Sequence, residues 1–455
     1  MSKNQPDVRN VFEAWPVARS VQYLAWPAIA GQLITVVYSA ADTFFVGQLG
    51  DEVQLAAVSV SGTALILINT IANLFGVGGS SLLSRSLGAG KPKTAQKASA
   101  FSLWCSMICA LIYSLLMLSF PAQLARCFGA TAASLRATQS YLFFTVSLGA
   151  LPTTLTMVLS QLLRAEGRVR EASIGLILSS IFNILLDPLM IYPQGLNMGV
   201  AGAAMATALS NCLSAAFYLA VLHRNRLSTV ISFSPSDFRP QQAMAIEILS
   251  IGFPQALKTT LSTVSHALMN HLAAPAGDYA VAAIGVAQKL DMMIMQVATG
   301  FSSGVMPMIG YNYAARCYKR MRDTLIMTLK CALGVVVPAM AAYFVFSRQL
   351  VGMFVTQSET AALGARFLRI ICWALPGMTV SFILTALFQA TGHAKEALIL
   401  SLCRKGALDI PLLFLMNAML PLWGLVIVQP ITDTTTMLLA MVFYRRFCRR
   451  LSAQR

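Results

Sequence analysis

Apolar stretches about 20 residues long recur from one end of this chain to the other. Short polar segments rich in Gly, Pro, Lys and Arg separate them. Each stretch is long enough to cross about 30 Å of hydrocarbon as a helix. Twelve spans are read: 21–46, 55–80, 98–118, 139–163, 172–192, 200–222, 246–272, 280–311, 326–346, 365–388, 397–418 and 425–444. In lipid each backbone group must be bonded within its own segment, so every span is expected to be helical.

The pattern is also written twice. Pro27 recurs as Pro254, 227 residues later, and Gly78 and Ala89 as Gly304 and Ala315, 226 later. Leu151-Pro152 recurs as Leu375-Pro376, Gly167 as Gly392, Pro188 as Pro411 and Gly202 as Gly424. The offset drifts only from 227 to 222, so composition alone does not explain it. The fold expected is all-α and membrane-integral, with twelve transmembrane helices in two pseudo-symmetric six-helix lobes. Residues 1–222 form the N-terminal lobe, 223–245 a cytoplasmic inter-lobe loop, and 246–455 the C-terminal lobe with a basic cytoplasmic tail. Duplicated membrane halves are characteristic of secondary transporters, whose lobes rock about a shared site.

Composition removes the soluble alternatives. Hydrophobic residues are 57% and charged residues 11%, against about 25% charged in soluble domains. The net charge of +16 suggests a polyanion partner until its distribution is read. With both termini cytoplasmic, the inner segments hold 23 Lys and Arg, the outer loops hold Arg126, Arg136 and Arg348, and seven lie within spans. That asymmetry is the positive-inside bias of an inner-membrane protein, and nucleic acid is not needed to explain it. A cleavable leader is not expected, because Arg9, Glu13 and Arg19 precede an apolar run too long for one. The nine cysteines contain no CxxC pair, so neither a disulfide framework nor a zinc site is suggested. A monomer is expected.

Several chemistries lack their residues. The nearest approach to a Walker A loop is Gly90-Lys91, but Pro92 stands where Ser or Thr is needed. His266 and His271 are five apart, on different helix faces, and His223 and His393 lie in loops. An integral-membrane enzyme is therefore a remote alternative, and no catalytic residue, structural metal or cofactor is expected.

Five acidic residues remain inside spans: Asp42, Asp187, Asp291, Asp409 and Asp433. An ionisable group in the bilayer is a functional candidate by default. Asp187 follows Asn183 by four residues, which stacks amide and carboxylate on one helix face. Pro188 weakens the helix ladder just beyond and frees carbonyls. The resulting oxygen-rich niche suits Na⁺ or a carboxylate that takes up a proton. Asp42 closes the first span and joins that niche or snorkels to water. Thr207 offers a hydroxyl to it or bonds back to its own helix. In the second half, Asp409 is an i, i+4 partner for Lys405, and Asp433 stands at the repeat position of Asn211. Asp291, two residues after Lys289, pairs with other basic groups. Lys258, Arg404 and Lys405 line an aqueous cavity with these acids. Met292, Met293, Met295, Met306 and Met308 are read as packing rather than as a promiscuous wall.

The chain resembles the multidrug and toxic compound extrusion (MATE) transporters over essentially its whole length. Pro27 with Tyr38–Gly47 is similar to the first helix of that family. Gly76-Val77-Gly78-Gly79-Ser80-Ser81 through Ser84-Arg85 and Gly88-Ala89 is similar to its second. Asn183 with Asp187, then Gly199–Ala204, resembles its fifth and sixth helices. Gly424 with Gln429-Pro430-Ile431-Thr432-Asp433 resembles the end of its second lobe. The resemblance implies an antiporter that exports amphipathic, cationic organic compounds in exchange for Na⁺ or H⁺, by alternating access of two lobes. It also implies a first-lobe cation site at Asp42, Asn183, Asp187 and Thr207, with Na⁺ at the first three. One branch has an added Glu in the seventh helix and Asp in the tenth. Neither 254–271 nor 367–388 holds an acid here, so coupling is expected in the first lobe. A flippase for lipid-linked glycans or phospholipids, from the same superfamily, is the alternative. Convergence of Lys258, Lys289, Arg404 and Lys405 would favour it.

Overall fold

The computed structural model describes residues 10–238, 241–355 and 357–453, except the side chains of Glu52 and Ala453. Lys3, Arg9, Arg239 and Arg455, counted above as inner charges, lie outside the described residues. Among the described residues there is no strand. The helices of the first repeat are α1 (Val17–Gly47), α2 (Glu52–Gly88), α3 (Pro92–Ser119), α4 (Pro121–Cys127), α5 (Leu135–Leu142), α6 (Ala150–Ala165), α7 (Val169–Ile191) and α8 (Val200–Arg224). The second repeat has α9 (Gln242–Ala273), α10 (Asp278–Ala314), α11 (Tyr318–Val345), α12 (Ser347–Gly352), α13 (Ser358–Ile371), α14 (Ala374–Ala390), α15 (Ala394–Leu402), α16 (Asp409–Met419) and α17 (Trp423–Ala453).

Eight of these, α1, α2, α3, α7, α8, α10, α11 and α17, are long and apolar enough to cross a bilayer unbroken. Two expected straight spans are bent instead. The span at 139–163 runs through α5, a π-helical turn at Phe143–Leu148 and α6, with a bend of 49°. The span at 365–388 is α13 and α14, bent by 47°. The cause is the same in both repeats. Pro152 and Pro376 have no N–H, and each ring displaces the carbonyl four residues earlier. The two remaining spans are α9, which carries polar residues such as Lys258, Ser262 and Ser265 along its length, and the α15–α16 segment, whose two helices are each too short to cross alone. The second is interrupted by a π-helical turn at Cys403–Ala407 that holds Arg404 and Lys405, both buried.

The described residues form two compact units. One holds Ala30–Ala256 and the described residues before Pro16; the other holds Pro16–Ile29 and the chain from Leu257. The units follow the repeat except at its first helices, α1 and α9, whose opening turns each belong with the other repeat. Repeated glycines make this possible. A Cβ on Gly78 would stand 2.0 Å from the Ile248 carbonyl oxygen, and one on Gly252 1.8 Å from that of Leu74. So α2 and α9 meet backbone to backbone in the first unit. In the second, a Cβ on Gly304 would lie 2.7 Å from the Leu24 oxygen of α1.

Core side chains of the first unit include Leu83, Leu103, Leu159, Leu162 and Tyr218. Those of the second include Leu290, Leu368, Leu375, Met378 and Phe382. The segment after α8 is fastened to the first unit rather than spanning freely. Buried Glu166 accepts hydrogen bonds from the Val230 amide (2.7 Å) and the Thr229 hydroxyl (2.9 Å). Asp237 accepts from Ser232 at 2.6 Å and Gln96 at 3.0 Å, and the Trp104 indole donates to the Phe233 carbonyl at 3.2 Å.

Candidate functional site

A polar column runs through the first unit where α1, α7 and α8 meet. Helical spacing builds it. On α7, Ser179, Asn183 and Asp187 are each four residues apart, so they stack on one face. Thr207 and Asn211 do the same on α8, and Tyr38 and Asp42 on α1. Asp187 and Asn183 are buried, at 0% and 2% exposure, while Asp42 and Thr207 are half-buried.

The Asn183 amide is the hub. With its nitrogen donating to Asp187 Oδ2 (3.1 Å), its oxygen accepts from the Thr207 hydroxyl (3.2 Å) and amide (3.1 Å). That orientation is assigned from the network, since it satisfies both ends of the side chain. Tyr38 hydrogen-bonds Thr207, and Asp42 lies close enough to Asp187 for their charges to repel. Among the described residues nothing donates to Asp187 Oδ1 or to Asp42 Oδ1, although both atoms are buried. A cavity of about 50 Å³ lies beside Asn183, lined also by Tyr38, Ser179, Thr207, Ser210 and Asn211; neither carboxylate lines it. It is large enough for several waters or a partly hydrated cation. It centres on Asn183, one turn from Asp187. Farther along, Asn211 donates to Thr153 at 3.0 Å.

The structure thus brings Asp42, Asn183, Asp187 and Thr207 together. Sequence reasoning missed Tyr38, Ser179 and Asn211 as members. Each lies four residues from a residue it had chosen, so one further helical step would have found them. The donor set is all oxygen, with two carboxylates that no basic group among the described residues neutralises, and that chemistry suits a monovalent cation or a proton.

The second unit treats its charges differently. Arg404 pairs with Asp433 at 2.5 Å, and Lys405 with Asp409 at 3.6 Å. Ser265 also donates to Asp409. Asp291, expected to pair with basic groups, is instead hydrogen-bonded by the Gln429 amide at 2.8 Å. Gln429 lies one turn before Asp433 on α17, so that amide occupies the position a base would need. Lys258 and Arg404 both lie over the Phe382 ring, at 4.5 and 4.6 Å. Lys289 is exposed and stands apart from this cluster. Met306 and Met308 are buried, while Met292 and Met293 are exposed. Among the described residues no group of three or more His, Cys, Asp or Glu is placed to hold a metal ion.

Comparison with known proteins gives this arrangement its context. The MatE family model matches residues 27–189 and 251–415, once in each half. The multidrug export protein MepA of Staphylococcus aureus (strain MSSA476) is 31% identical over 440 residues, covering 96% of either chain. That of Staphylococcus haemolyticus is 30% identical over 98% of this chain and 97% of its own. The fold is that of an outward-facing multidrug resistance MATE family transporter, with TM-score 0.91 and 24% identity over 99% of this chain and 100% of the other. A MATE crystallised with MaL6 superposes equally, at 0.91. With both halves matched and relatives aligned nearly end to end, the chain belongs to the MATE family of membrane transporters.

Proposed function

We propose that this protein is an inner-membrane multidrug antiporter, with both termini cytoplasmic. It exports amphipathic organic cations as a monomer and couples export to Na⁺ or H⁺ entry at Asp42, Asn183, Asp187 and Thr207. One observation carries the reading. Asp42 and Asp187 lie together in the first unit, and each keeps a buried oxygen with no hydrogen-bond partner among the described residues. In the second unit, by contrast, Asp409 and Asp433 are matched to bases, and Asp291, which also keeps one such oxygen, is held alone by the Gln429 amide. A carboxylate left charged at bilayer depth binds a cation or takes up a proton. Either event changes the hydrogen bonding of Asn183 and Thr207 next to Pro188, where α7 is weakest. Cation occupancy then biases the lobe between two shapes, and exchange needs that differential affinity. The names of the relatives support drug cargo. The flippase alternative gains from convergence of Lys258, Lys289, Arg404 and Lys405. Lys258 and Arg404 do share the Phe382 ring, but Lys289 is exposed and Arg404 and Lys405 are paired with Asp433 and Asp409, so the antiport reading is preferred.

The test is efflux of a fluorescent organic cation from proteoliposomes, with Na⁺ and pH gradients imposed separately. One gradient should drive the wild-type protein. Asp187→Asn keeps the size and removes the charge, and should reduce driven export to the protein-free rate. Wild-type transport by that variant across pH would move the coupling elsewhere.

A further inference from the structure

In the second unit two cations share one aromatic ring. The Lys258 ammonium and the Arg404 guanidinium stand 4.5 and 4.6 Å from the centroid of Phe382. The electron-rich ring offsets part of the repulsion between them. Their other contacts differ. Arg404 has Asp433, and Lys405 beside it has Asp409. Lys258 has neither: among the described residues no hydrogen bond or ion pair reaches its ammonium. It is half-buried, so it is not sealed from ligands. A half-desolvated ammonium without a counter-ion is costly in a membrane protein, and an arriving anion would relieve that cost. The shape of the site narrows the choice of anion. A phosphate calls for a fork of donors or several bases, and the Arg404 fork is already spent on Asp433. One point charge beside the apolar Phe382 ring suits a monovalent carboxylate joined to an aromatic body.

We propose that Lys258, backed by Phe382, binds the carboxylate of aromatic organic anions or zwitterions. The site rests on reading the protein as an exporter of organic compounds, and it extends the cargo beyond simple cations.

Binding to the purified full-length protein tests it without any gradient. The probes are rhodamine B, an aromatic cation that carries a carboxylate, and its ethyl ester, which keeps the rings and loses the acid. Fluorescence anisotropy should find the wild-type protein binding both. Lys258→Met should weaken rhodamine B about tenfold or more while leaving the ester within about twofold, and Lys258→Arg should restore most of the loss. Equal loss of both probes, or of neither, would overturn the proposal. So would a wild-type protein that binds the ester alone, or neither probe. Should Lys258→Met not fold, the wild-type protein still decides: excess benzoate should displace rhodamine B and spare the ester, and displacement of both or neither refutes the site. Failure of Asp187-dependent export with this discrimination intact would fault the antiport reading and leave the carboxylate site standing.

Discussion

At the scale of single residues, buried acids are handled in two ways. An ionised group in the membrane costs about 3 kcal/mol or more unless something compensates it. For two second-unit acids the compensation is internal, since Arg404 meets Asp433 at 2.5 Å and Lys405 meets Asp409 at 3.6 Å, whereas Asp291 and Lys258 have no ion-pair partner among the described residues. Breaking such a pair from one side leaves an orphan charge. Arg404→Met is therefore expected to destabilise the protein by about 3–5 kcal/mol, and adding Asp433→Asn should recover most of the loss. Thermal unfolding of the single and double variants measures this; a double variant no better than the single would show that the pair is not the cause. Among the described residues Asp42 and Asp187 of the first unit have no such partner, which is the feature the proposed coupling rests on. Asp433 stands where the first half has Asn211, whose hydrogen bonds among the described residues go to neutral groups, Thr153 among them. The Asn183–Asp187 and Lys405–Asp409 relations were legible in sequence because helical spacing fixes them. Arg404–Asp433 and Ser265–Asp409 were not, because each joins helices whose rotation only packing determines.

At the scale of elements, glycine and proline place the helices. Gly78 lets α2 touch α9, and a Cβ there would sit 2.0 Å from the Ile248 oxygen. Gly78→Ala should cost about 1–3 kcal/mol, because backbone must move to admit it. Gly334→Ala, in α11 with nothing within 4 Å, should be neutral or stabilising by about 0.5–1 kcal/mol. Equal effects in thermal unfolding would discount the close approach. The fastened segment after α8 offers a pH test. Burial raises the Glu166 pKa above its ordinary 4.5, partly offset by Arg168 and by the bonds from Val230 and Thr229. The folded protein thus holds that proton more tightly than the unfolded chain. The stability it contributes is complete below about 4.5 and is lost as pH rises through the raised value. Relative to Glu166→Gln, the wild-type protein should lose stability with rising pH across that window, and the reverse slope would contradict the assignment. Prolines were legible landmarks, yet their consequence, the bends beside Pro152 and Pro376, was not. Hydropathy reports length and polarity, and a bent span has both. The second-unit network draws on the two spans that are not unbroken apolar helices, since Lys258 and Ser265 lie on α9 and Arg404, Lys405 and Asp409 on the α15–α16 segment.

At the scale of the whole molecule, the proposed antiport draws its drive from outside the chain. Gly90-Lys91 is the one place where the sequence approaches a nucleotide-binding loop, and the structure explains its geometry differently. Gly90 takes φ +70° in the turn that joins α2 to α3, and Pro92 opens α3 at a position where its missing N–H costs nothing. A phosphate cradle needs a strand before the loop and a Ser or Thr after the Lys; here a helix precedes it and Pro follows. The described residues therefore offer no loop built to spend ATP, and the proposed coupling falls instead to two first-unit carboxylates that no described base neutralises. The duplication that organises the chain is suited to the same task, because a cation that binds one shape of a lobe more tightly shifts a balance and need not break a bond. Export in cells should accordingly collapse when ionophores dissipate the Na⁺ and proton gradients while ATP is held at its normal level. It should return when the gradient of the coupling ion alone is restored. Uphill efflux that persists with both gradients gone and ATP present would place the energy source elsewhere and end the antiport reading.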